Sequence, residues 1–164
     1  QTVLKYEVPL EIFVSLNNLY EQQKKEFPKA NKQLVGKIKD EVSLFYDGEN
    51  SEKMHRHNFV SEQSLQWFYS IFDHYLNWNR VGKFNMKINS IWVNEMKSHE
   101  YNGQFAKTDY SPNVKIADFY VFPYDVRHCV YPFHSTGDVR RTLVCNVDVQ
   151  YNPLLSQVAQ GQLE

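Results

Sequence analysis

Apolar residues recur at helical spacing in the first third of the chain. Leu10, Phe13, Leu16 and Tyr20 follow Pro9, which suits a first helical position, and 21–26 reads as the solvated end of that helix. After Pro28, in "ANKQLVGKIKDEVSLF", Leu34, Ile38 and Val42 recur every four residues. That spacing predicts a second helix, weakened by Gly36. "YDGENSEKMHRHN" is a polar loop. "SEQSLQWFYSIFDHYLNWN" carries the strongest helical signal: Ser61 as cap, Glu62 in the first turn, and Leu65, Phe68, Phe72, Tyr75 and Leu76 as an apolar stripe.

Near residue 84 the period changes from 3.6 to 2. Phe84, Met86 and Ile88 alternate with Asn85, Lys87 and Asn89, which predicts a strand. We expect strands over 91–96, 117–122, 127–130 and 140–148, a short one around Phe105, and a weakly helical tail from "NPLLSQVAQGQLE". Helices first and strands second predict an α+β fold with a largely antiparallel sheet.

The 164 residues suit one domain, and an aromatic content of 15% is too high for a disordered chain. A net charge of -1, with Lys and Arg spread along the sequence, argues against a general nucleic-acid footprint. No apolar run approaches the roughly 20 residues of a membrane span. The sparse cysteines, Cys129 and Cys145, point to a reducing, cytoplasmic setting and to two buried free thiols, with a disulfide between them as the lesser alternative. The chain begins at Gln1 rather than Met, so it is read as part of a gene product.

The last strand can be divided by face. Arg140, Thr142, Val144 and Asn146 share one side; Arg141, Leu143, Cys145 and Val147 share the other, an oily side suited to covering helices. A guanidinium beside a hydroxyl makes a carboxylate clamp, because the planar fork grips both oxygens and the hydroxyl adds a further bond. An arginine at a solvent-exposed strand entrance is the plainer alternative. His128, on the strand before it, is read either as a packed rim residue or as a metal ligand.

Taken together, "ADFYVFPYDVRHCVYPFHSTGDVRRTLVCN" resembles the C-terminal half of phage and bacterial Fe(II)/2-oxoglutarate-dependent oxygenases. "ANKQLVGKI" and "INSIWVNEMKSHEYN" resemble the lead-in and first core strand of the cyanophage-like members, so the resemblance covers most of residues 1–150. It implies a double-stranded β-helix, a jelly-roll-like barrel with N-terminal buttressing helices. The single domain 1–164 would then divide into a helical lead-in (1–82), a β-barrel part (83–150) and a tail (151–164). It implies His128 as an iron ligand, Arg140 and Thr142 on the far carboxylate of 2-oxoglutarate, and Asn94 and Trp92 in the strand lining the pocket. The implied activity is hydroxylation of an unknown substrate, a small molecule or a protein side chain, in the host cytoplasm if the gene is a phage's. A homodimer is left open.

The family's other two ligands should follow "EYN" as His-x-Asp or His-x-His, but "GQFAKTDY" stands there. His55 and His57 have the right spacing but precede every expected barrel strand. His99 reads as a surface residue, His74 and His134 as structural or solvated ones, and Asp109 has Lys107 two residues before it. The family layout implies that some tens of residues are absent between Asn102 and Gly103. Either the native chain holds them and is an iron enzyme, which the retention of His128, Arg140 and Thr142 favours, or they are deleted. A deleted chain would be a structural or binding module without iron, for example in a virion.

Overall fold

The computed structural model describes residues 2–26, 36–37, 40–48, 55–98, 101–103, 115–125, 129–130 and 139–151. They form a mixed α+β architecture of two helices and antiparallel strands. In chain order the elements are β1 (Leu4–Glu7), α1 (Leu10–Glu26), β2 (Gly36–Lys37), β3 (Asp40–Tyr46), β4 (His57–Asn58) and α2 (Glu62–Trp78). They continue with β5 (Phe84–Lys97), β6 (Tyr101–Gly103), β7 (Asp118–Val121), β8 (Cys129–Val130) and β9 (Val139–Tyr151).

The central sheet has the order β4-β3-β5-β9. Two smaller sheets, β1-β7 and β2-β6-β8, complete the described strands, and none of the three closes on itself. The N-terminal third therefore supplies strands as well as helices. Where a helix was expected around Leu34, Ile38 and Val42, the described residues form β2 and β3, with Val42 in β3; Leu34 and Ile38 lie outside the described residues. The every-fourth-residue spacing misleads because it is also a multiple of two. In "EVSLF", Val42 and Leu44 are buried, Ser43 between them is half-buried, and Gly36 disfavours a helix.

Helix α2 forms where its pattern predicts. The Ser61 hydroxyl accepts a hydrogen bond from the Ser64 N–H at 3.2 Å, satisfying one of the free donors of the first turn. At the other end Arg80 adopts a left-handed φ of 55°. The Arg80 N–H donates to the Asn77 carbonyl and the Val81 N–H to the Leu76 carbonyl, the paired bonds of a Schellman stop. Phe68, Ile71, Phe72, Tyr75 and Leu76 are buried. Phe68 meets Phe119 of β7 with ring centroids 5.6 Å apart.

Helix α1 begins directly after Pro9, whose carbonyl accepts from the Phe13 N–H. Its buried stripe is Ile12, Leu16, Tyr20 and Gln23, whereas Leu10 is 77% exposed. The expected stripe shared only Leu16 and Tyr20 with this one. The helix is turned so that Tyr20 reaches the end of β5.

Strand β5 is the spine of the sheet. Its side toward the helices carries Ile91, Val93 and Glu95, opposed on β9 by Cys145, Leu143 and Arg141. An irregularity between Ile88 and Ser90 shifts the register. There the Ile88 N–H donates to the Tyr69 hydroxyl at 3.1 Å, and the Asn89 carbonyl accepts from the Asp47 N–H at 2.8 Å. Among the described residues no helix is long and apolar enough to cross a membrane.

Cys145 lies on the helix side as expected and is a free thiol that burial pushes up to about 12. The Cys129 side chain, the strand around Phe105 and the tail beyond Tyr151 lie outside the described residues.

Candidate functional site

Directly opposed residues of an antiparallel pair project to the same face, with Cα atoms about 4.5–5.5 Å apart. The register sets Asn94 opposite Thr142, Met96 opposite Arg140 and Trp92 opposite Val144. On the other flank of β5 it sets Glu41 opposite Asn94 and Ser43 opposite Trp92. One sheet face, turned away from the helices, thus carries a row Glu41–Asn94–Thr142 with Arg140 one step beyond. The predicted residues Asn94, Thr142 and Arg140 come together on it.

Asn94 is the unusual member of this row. It is 1% exposed, and neither its amide nitrogen nor its carbonyl oxygen has a hydrogen-bond partner among the described residues. The buried Trp92 Nε1, two residues away on the same face, has none either. Leaving a buried polar group unmatched costs about 1–3 kcal/mol, so such a group in a folded protein calls for an explanation.

Arg140 is exposed at the second residue of β9, the solvent-exposed strand entrance of the plainer alternative. The physical reason is position: a strand's entrance lets a long guanidinium reach water. Thr142, one pleat deeper, is half-buried. The face therefore grades from an exposed cation through a half-buried hydroxyl to a buried amide.

The opposite face is satisfied. The Glu95 carboxylate accepts from the Tyr20 hydroxyl at 3.0 Å, from Lys24 Nζ at 2.9 Å, and from Arg141 Nη2 at 2.7 Å. Arg141 also bonds Asn17 and Glu21, and its guanidinium lies 4.3 Å from the Tyr20 ring centroid. Burial alone would push the Glu95 carboxyl up, but the bonds from Lys24, Arg141 and Tyr20 outweigh it and hold the group at about 2. This cluster ties α1 to β5 and β9.

His128, the one expected metal ligand, lies outside the described residues, as do His99, Asp109 and His134. Among the described residues no group of three His, Cys, Asp or Glu side chains is arranged to hold a metal ion. His74 is structural, as its neighbours suggest: its Nδ1 is 2.7 Å from the Tyr6 hydroxyl. His57 is not in a loop. It belongs to β4, opposite Tyr46, with Nε2 2.8 Å from Ser43 Oγ.

Sequence reasoning missed Glu41, Ser43 and His57 as members of this face. The alternation in "EVSLF" holds the signal for the first two, once the segment is read at period two. Compared with protein-family models, curated proteins and solved structures, the chain matches none.

Proposed function

We propose that the chain is a double-stranded β-helix oxygenase of the Fe(II)/2-oxoglutarate-dependent kind, hydroxylating a substrate not yet named. Its carboxylate clamp would be the Arg140–Thr142–Asn94 face. The observation that carries the reading is the buried Asn94 amide, unmatched among the described residues and directly opposite Thr142. A dicarboxylate held there takes a charge-assisted fork from Arg140, a hydrogen bond from the Thr142 hydroxyl and one from the Asn94 amide nitrogen. The described residues do not themselves make an iron site. His128 is the ligand that the family resemblance supplies.

The test is titration calorimetry with 2-oxoglutarate in the presence of Mn(II), followed by succinate analysis with Fe(II) and oxygen. Wild-type protein should bind 2-oxoglutarate, and Arg140→Ala should weaken that binding about ten- to a hundredfold, the worth of a charge-assisted contact. Asn94→Leu should abolish binding while raising the melting temperature, because it removes an unmatched amide. Absence of 2-oxoglutarate binding by the wild-type chain would sink the proposal. Binding without succinate, with Fe(II) and a broad substrate set, would favour a non-catalytic binding module on the same face.

A further inference from the structure

Ser43 and His57 meet through their side chains on the same sheet face, at the end away from Arg140. Ser43 Oγ lies 2.8 Å from His57 Nε2. His57 Nδ1 lies 2.9 Å from the backbone carbonyl of His55. A carbonyl only accepts, so that contact puts the ring proton on Nδ1 and leaves Nε2 as the acceptor for the serine hydroxyl. The ring is held in plane by stacking on Phe59, with centroids 5.1 Å apart, and against Tyr46 at 6.3 Å. Tautomer, orientation and distance are those of a serine with its general base and an orienting acceptor. Both residues are half-buried, and β4 is an edge strand of the central sheet.

A second observation concerns the residue across the ladder. Trp92 stands directly opposite Ser43, and its buried Nε1–H has no hydrogen-bond partner among the described residues. An unmatched donor on the residue paired with a nucleophile is the kind of group a developing oxyanion requires.

We propose that Ser43, His57 and Trp92 form an acyl-transfer site for small carboxylic esters, separate from the Arg140 clamp. Ser43 Oγ bonds to the ester carbonyl carbon, its proton passes to His57 Nε2, and the carbonyl electron pair moves onto oxygen, where Trp92 Nε1–H stabilises it. The pair then returns, the bond to the alkoxide breaks, and the alkoxide takes the proton from His57. Water repeats the sequence on the acylated Ser43, releasing the carboxylic acid.

The experiment is labelling of the full chain with an alkyl fluorophosphonate, read by intact mass and peptide mapping, alongside turnover of phenyl acetate. One adduct per chain should form, map to Ser43 and be lost in Ser43→Ala. His57→Gln should slow labelling about 10²- to 10⁴-fold. Trp92→Phe should lower phenyl acetate turnover about 10²- to 10³-fold. Wild-type protein left unlabelled by millimolar probe, or labelled anywhere other than Ser43, overturns the proposal. Neither outcome depends on a variant folding.

Discussion

Replacing Glu95 with glutamine keeps the side chain's shape and removes only its charge. In the native protein that carboxyl is 6% exposed and drops from an ordinary 4.5 to about 2. At about 1.4 kcal/mol per pH unit, the depression is worth about 3 kcal/mol. The sign follows from linkage: a carboxyl depressed on folding contributes its stability above the unfolded value. That contribution is lost as pH falls from about 4.5 to about 2. Urea denaturation at pH 7 should therefore find Glu95→Gln less stable by about 3 kcal/mol, and the gap should shrink toward zero as the pH approaches 2. In a domain of this size that corresponds to a melting shift of about 6–12 °C at neutral pH. Part of the cost is that Arg141 keeps only the exposed Glu21 carboxylate, so Glu95→Gln with Arg141→Gln should cost less than the sum of the two. A gap that stays constant from pH 7 to pH 3, or one well under 1 kcal/mol at pH 7, would refute the reasoning that Glu95 ties α1 to the sheet.

Phe68→Ala should cost about 3–5 kcal/mol in the same urea assay, because a fully buried ring against Phe119 leaves a cavity. Cys145, pushed up to about 12 by burial, should react with a disulfide reagent at pH 8 far more slowly in native protein than in urea. Arg80→Gly should raise the melting temperature by a few degrees, since Arg80 holds a left-handed φ of 55° that glycine adopts without strain.

Helix α2 was legible because several independent signals agree on it. The cap at Ser61, the acidic first turn and the stripe of Phe68, Phe72, Tyr75 and Leu76 all fall in one register. The two long strands were legible from their alternation, and so were the two faces of β9. Strand β3 was not, because a four-residue repeat satisfies both helix and strand. What decided it was pairing with β5, a contact over about fifty residues of sequence that no local pattern encodes. Asn94 and Thr142 could be placed on strands, but their direct opposition depends on a register set by the irregularity at Ile88 and Ser90. The exposure of Arg140 follows from where β9 begins, and strand ends are the least local feature of a sheet.

The two faces of the central sheet differ in how their polar groups are matched. Toward the helices, Glu95 and Arg141 are buried or half-covered, yet each meets several partners within 3.2 Å. Away from them, Asn94 is the one described side chain whose buried donor and acceptor both lack a partner among the described residues; Gln23 and Asn89 each leave only an oxygen so. Selection for stability alone favours an apolar residue at such a position, since leucine fills the space without the desolvation cost. Under the proposed function, a bound dicarboxylate would complete the bonds that Asn94 lacks among the described residues. The proposed clamp of Arg140, Thr142 and Asn94 and the proposed Ser43–His57–Trp92 site have no member in common, so they respond to different substitutions. Ser43→Ala should leave 2-oxoglutarate binding intact, and Arg140→Ala should leave fluorophosphonate labelling intact. Loss of both properties in either variant would mean that the face forms one site rather than two.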